Sequence, residues 1–180
     1  MPRLTPVEPA TGEAKDLLDA VQAALGVTPN MTRTMARNPA VLKGWMELNG
    51  ALGKTLTRAL NEQIALAVAE ENGCGYCLSA HTAIGGMIGV SESELAFSRE
   101  GRSSDPKVAA ALQFAQTVNA KRGNVSDYDI AQVRAAGYDD ADIAAIVAHV
   151  ALNVFTNYFN LVAETVIDFP EVAPGMAKAA

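Results

Sequence analysis

The chain has 180 residues, the size of one ordinary domain and long enough to bury a core without staples. Hydrophobic residues make up 49% and charged residues 19%, which excludes collagen-like and fully disordered classes. Lys and Arg total 14 against 20 Asp and Glu, a formal charge of −6; nonspecific nucleic-acid binding and anionic-membrane binding both want a basic face and are disfavoured.

Alanine and leucine are frequent and strand-like alternation is scarce, so the expected class is all-α. Prolines at positions 2, 6 and 9 make residues 1–10 an extended arm. Thr11–Leu25 carries a helical stripe of Leu17, Leu18, Val21 and Leu25, and Gly26 suits its C-cap. Pro29 opens a short helix over Asn30–Arg37, and Asn38-Pro39 marks a boundary before a helix over Ala40–Leu52. Thr57 caps a helix running to about Asn72, whose IALAVA run (Ile64–Ala69) is apolar all round and therefore expected to be buried.

Asn72-Gly73 is a stop signal, and a new helix begins near Cys74 and runs to about Gly89. Ser91 caps a short helix, Gly101–Asp105 is a loop, and Pro106 occupies the first turn of a helix over Lys107–Lys121. Ser126 and Asp127 cap Tyr128–Ala136, which ends at Gly137. Asp139-Asp140 opens a last long helix or pair of helices, and residues 169–180 read as a loose tail. With no linker or repeat, residues 1–180 read as one compact helical domain. Met1–Pro9 lacks the apolar core of a signal peptide. The apolar stretch Ala141–Ile167 is interrupted by His149, Asn153, Asn157, Asn160 and Glu164, which disfavours a bilayer span. A cytoplasmic location is expected.

Chemistry concentrates in Ala59–Gly86, where Glu62, Cys74, Cys77 and His81 form the pattern E-x11-C-x2-C-x3-H. Two cysteines three apart cannot build a disulfide scaffold and point to redox or metal chemistry. On the first turn of a helix both sulfurs share one side, and the helix's positive end favours thiolate, the nucleophilic form. His81 lies one turn beyond Cys77, within reach of its sulfur. Glu62, on the preceding helix, comes back beside His81 if the two helices pack antiparallel, and would orient the imidazole or relay protons. Taken singly, these residues have blander readings: two inert buried cysteines, a structural histidine, a solvated glutamate. Glu70 and Glu71 read as solvent-facing. The polar stripe His149, Asn153, Asn157, Asn160, Glu164 reads as a hydrogen-bonded seam between helices or subunits, with a pocket wall as the alternative.

Asn61–Gly85 (NEQIALAVAEENGCGYCLSAHTAIG) resembles the signature of the AhpD-like alkylhydroperoxidase branch of the carboxymuconolactone decarboxylase superfamily. Val27–Trp45 and Ala148–Pro170 resemble its flanks, so the likeness covers roughly residues 20 to 170. The resemblance implies an all-α fold, homo-oligomers (trimers or hexamers), and a thiol peroxidase or disulfide reductase with no bound cofactor. It also implies Cys77 as the thiolate that attacks peroxide, Cys74 as the resolving cysteine, His81 as the activator of Cys77, and Glu62 in a proton relay. The reductant would be an external dithiol, a lipoyl group or a thioredoxin-like protein. Best-studied members carry a histidine just before the second cysteine, where this chain has Tyr76. A phenol titrates near about 10 and does not shuttle protons at neutral pH as imidazole does. Three rival readings remain: a zinc site on Cys74, Cys77 and His81 with Glu62 or water; a decarboxylase-like lyase using His81 and Glu62; and a noncatalytic redox-sensing module.

Overall fold

A computed structural model describes residues 1–175, and among them the regular structure is entirely helical. In chain order the helices are α1 (Gly12–Leu25), α2 (Asn30–Met35), α3 (Pro39–Leu52), α4 (Arg58–Glu71), α5 (Gly75–Met87), α6 (Glu92–Arg99), α7 (Pro106–Ala120), α8 (Asp127–Ala135) and α9 (Asp140–Ala163). The all-α expectation therefore holds, and helix ends fall within about two residues of those read from caps and stop signals.

Local chemistry accounts for the boundaries. Thr57 accepts a hydrogen bond from the Leu60 N–H and starts α4. Ser126 with Asp129, and Asp139 with Asp142, form capping boxes at the starts of α8 and α9. Gly26 closes α1 in the left-handed region at φ 75°, its N–H donating to the Gln22 carbonyl. The last segment is a single 24-residue helix rather than a pair.

Helix α4 is the axis of the fold, packed by α5, α6, α7 and α9. Every residue from Gln63 to Glu70 is buried, because neighbours cover the helix on all sides. One core cluster gathers Leu66 and Ala69 with α1, α2, α3 and the start of α5. The other gathers Ile64 and Val68 with α7, α8 and α9. Helix α9 is long and apolar enough to cross a membrane by length and composition alone, but half of its most apolar window is buried inside this fold.

Two expectations are corrected. Glu70 does not face solvent: it is 3% exposed, because the α6 residue Arg99 covers it with an Nε–Oε2 contact of 2.6 Å. Residues 169–175 are not loose either. The Val172 N–H donates to Ser79 Oγ at 2.9 Å, Arg99 donates to the Ala173 carbonyl at 2.8 Å, and the Gly175 N–H donates to Glu70 Oε1 at 2.8 Å. The remainder of that expected tail, residues 176–180, lies outside the described residues. The N-terminal arm is also tied down, through Arg3 N–H to the Ala163 carbonyl and Val7 N–H to the Arg33 carbonyl.

Glu70 and Arg99 thus join α4, α6 and the C-terminal strap. Removing one member of a fully buried ion pair costs about 3–5 kcal/mol. Arg99 is partly exposed, so Arg99→Ala should cost about 2 kcal/mol. Denaturant unfolding checks this, and an unchanged midpoint would show the strap to be energetically idle.

Candidate active site

The turn between α4 and α5 assembles the site. Gly73 sits at φ 68°, a left-handed conformation that costs glycine little, and the chain reverses within three residues. Cys74 becomes the N-cap of α5, its Sγ accepting from the Cys77 N–H at 3.4 Å. The helix periodicity then brings Cys77 round to the same side, with Sγ–Sγ 2.8 Å. Both cysteines are free thiols and buried.

The hairpin also delivers the other two predicted residues. His81 Nδ1 and Glu62 Oε2 lie 2.7 Å apart, with side chains 25% and 14% exposed. Gly85 lets α6 pack against α5, since a Cβ there would lie 2.5 Å from Leu95 Cδ2. Glu62, Cys74, Cys77 and His81 are therefore gathered at one hairpin.

The two thiols are electrostatically unlike. Burial pushes the Cys77 pKa up, but more acts the other way: the Cys74 S–H donates to its sulfur, His81 places positive charge nearby, and the Asn160 and Asn157 amides add to the effect. The net result is a thiol lowered to about 7. Cys74 moves in the opposite direction, held as a thiol first by its hydrogen bond to Cys77 and then by burial. For His81, burial favours the neutral ring, yet the Glu62 charge and hydrogen bond prevail and raise its pKa. Cys77 is thus the thiolate-prone sulfur beside a sulfur held as a thiol, with an imidazole one turn away whose protonated form Glu62 favours.

Neither of the two α9 amides is singled out by the sequence as part of this cluster. Asn160 Nδ2 on α9 lies 3.3 Å from Cys77 Sγ and 3.2 Å from Met31 Sδ. Position Asn160 was visible in the polar stripe, but its partner was not, because contact across 83 residues leaves no local spacing. The stripe divides in two. Asn157 accepts from Asn72 Nδ2 at 2.9 Å, a seam as expected. His149 and Asn153 instead line the cavity beside Cys77, which corrects the seam reading for that half. The α9 helix turns that end toward the gap between α3 and α4: His149 Nε2 meets the Leu52 carbonyl at 3.1 Å and Thr55 Oγ1 at 3.2 Å.

Tyr76 faces the same cavity. It acts as a post: its hydroxyl accepts from the Met31 N–H at 3.1 Å, and its ring packs edge-on against Phe169 at 5.8 Å between centroids. Burial pushes its pKa up, so it holds its proton. The cavity itself has a volume of about 340 Å³, within the range of small-molecule sites. Its walls include Met31, Trp45, Leu152 and Phe169, and its polar groups include Glu62, His81 and Arg58.

Among the described residues no three His, Cys, Asp or Glu side chains are grouped so as to hold a metal ion. The thiols are turned toward each other and the Nδ1 of His81 toward Glu62.

A hydrogen bond to a charged group contributes about 1.5–3 kcal/mol, and one pH unit of pKa is about 1.4 kcal/mol. The pH profile of Cys77 alkylation should have its midpoint at about 7. Asn160→Leu removes a donor to the thiolate, so the midpoint should move upward by about one pH unit. No movement would exclude Asn160 from stabilising the thiolate.

Residues 39–120 match the family model for the carboxymuconolactone decarboxylase family. No protein of curated function matches the chain in a sequence comparison. Among solved structures, the fold is similar to that of the alkylhydroperoxidase AhpD core of an uncharacterized peroxidase-related protein from Ralstonia eutropha JMP134. That match has a TM-score of 0.80 at 24% identity, covering 92% of this chain and 93% of the other. An uncharacterized peroxidase-related protein from Silicibacter sp. TM1040 matches with a TM-score of 0.79 at 21% identity, over 96% and 95% of the two chains. The debrominase Bmp8, in complex with 2,3,4-tribromopyrrole, matches with a TM-score of 0.78 at 22% identity, over 92% and 91%. The carboxymuconolactone decarboxylase family model thus matches the centre of the chain, and the helical fold throughout is that of the AhpD-like structures.

Proposed function

We propose that the protein is a thiol-dependent peroxidase that reduces organic hydroperoxides through a Cys74–Cys77 dithiol–disulfide cycle, in antioxidant defence. The observation that carries this reading is the asymmetry of the sulfur pair: a thiolate-prone Cys77 opening on a cavity, with a protonated Cys74 2.8 Å behind it.

In the first step the Cys77 thiolate attacks the distal peroxide oxygen. An S–O bond forms, the O–O bond breaks, and the leaving alkoxide takes a proton from His81 to become an alcohol. Glu62, 2.7 Å from the ring, holds the imidazolium that supplies this proton. In the second step Cys74 condenses with the sulfenic acid, forming the disulfide and releasing water. An external dithiol then gives two electrons and two protons, returning both thiols and becoming a disulfide itself. A lipoyl group or a thioredoxin-like protein fits this role chemically. The protein would work as a homo-oligomer, a trimer or hexamer, in the cytoplasm.

A second reading is favoured by the cavity's aromatic and thioether lining, Trp45, Phe169 and Met31, in a fold shared with a debrominase. In it the same dithiol would supply two electrons to a small bromoarene, giving the arene, bromide and the disulfide.

Hydroperoxide consumption with a dithiol present tests the first reading. Cys77→Ser should abolish it, and Cys74→Ser should allow a single turnover that stops at the sulfenic acid. Undiminished turnover in both variants would remove the mechanism. Positioned acid catalysis contributes about 10²–10⁴-fold, so His81→Ala should slow peroxide reduction by about 10²-fold. Stopped-flow kinetics measures this, and a rate within twofold of the parent would take His81 out of the proton path.

A further inference from the structure

Resting on the peroxidase reading, we infer that the cavity is built for a hydroperoxide with an anionic tail: an apolar body carrying the peroxide at one end and a carboxylate, met by Arg58, at the other. Arg58 lines the cavity that opens on Cys77. Among the described residues it has no hydrogen-bonding or ion-pair partner. The other charged groups of that lining are already engaged, Glu62 with His81 and the His149 ring with Leu52 and Thr55. Arg58 is therefore an exposed, unpaired cation at the edge of a cavity whose lining mixes apolar residues with Thr32, Asn49, Asn61, Asn153 and Thr156.

Helix geometry places this cation away from the sulfur. The Glu62–His81 contact fixes the register of the α4–α5 hairpin. Arg58 lies one turn before Glu62 on α4, and Cys77 lies one turn before His81 on α5. In an antiparallel hairpin these turns diverge, so about two turns, or about 11 Å, separate their backbones. Between them the cavity is bounded by Ala65, Ala80 and Ile84 from the hairpin and Trp45 and Leu152 from the other side. These small and apolar residues leave room for a hydrocarbon body beside the Glu62–His81 pair, whose polar atoms are turned to each other. Arg58 is also in the first turn of α4, where the helix dipole adds to its attraction for an anion. A carboxylate suits the flat, two-pronged guanidinium, which a lysine would match less well.

The test separates this inference from the reading beneath it. Calorimetric titration of the reduced protein with octanoate and octanamide reads the anion site without any turnover. Octanoate should bind at least about tenfold more tightly, with the difference lost in Arg58→Gln and largely kept in Arg58→Lys. Equal binding of acid and amide, or a preference that survives Arg58→Gln, would overturn the inference. The second arm compares kcat/KM for a fatty-acid hydroperoxide with that for its methyl ester. The acid should be preferred by about tenfold in the parent and by less than twofold in Arg58→Gln. Turnover of both without discrimination would remove the carboxylate site and leave the peroxidase standing. Selective octanoate binding with no hydroperoxide turnover would keep the site and overturn the peroxidase reading.

Discussion

Two sulfur atoms 2.8 Å apart cannot both carry charge in a buried site, and the rest of the structure decides which one does. Cys74 spends its proton on Cys77 and keeps it, while Cys77 collects every donor in reach. Remove the contact and Cys77 loses the largest of the influences that lower its pKa, leaving His81 and the two amides to act against burial. The asymmetry also separates the roles in space. The ionised sulfur opens on the cavity, and the protonated one lies 1% exposed behind it.

That contact depends on how α4 and α5 meet. The left-handed glycine at position 73 permits the reversal, the N-cap geometry of Cys74 directs its sulfur at Cys77, and the antiparallel return of α5 brings His81 to Glu62. Burial of α4 on all sides anchors this hairpin in the core. The C-terminal strap closes over its turn, joined to Ser79, Glu70 and Arg99. A reactive pair is thereby mounted on a rigid element rather than on a loop, which is what precise positioning requires.

Much of this was legible in the chain because its signals are local. Caps such as Thr57, Ser126 and Asp139 announce helix starts within three residues, and the apolar run Ile64–Ala69 announces burial. The spacing from Glu62 to His81 encodes the hairpin, since a short turn forces antiparallel packing. What stayed hidden depends on distant partners. Glu70 looks like any surface glutamate until Arg99 is brought over it. Asn160 looks like a seam residue until α9 crosses α5 and its amide reaches Cys77. The strap of residues 169–175 has no periodicity of its own and is held by backbone groups that carry no sequence signature.

Intact-protein mass spectrometry after one equivalent of hydroperoxide addresses the sulfur pair most directly, with free thiols alkylated afterwards. The account predicts a chain that has lost the hydrogens of both thiols, gained no oxygen and taken up no alkylating agent. A chain that keeps an added oxygen on sulfur, or one that remains open to alkylation at both cysteines, would contradict it.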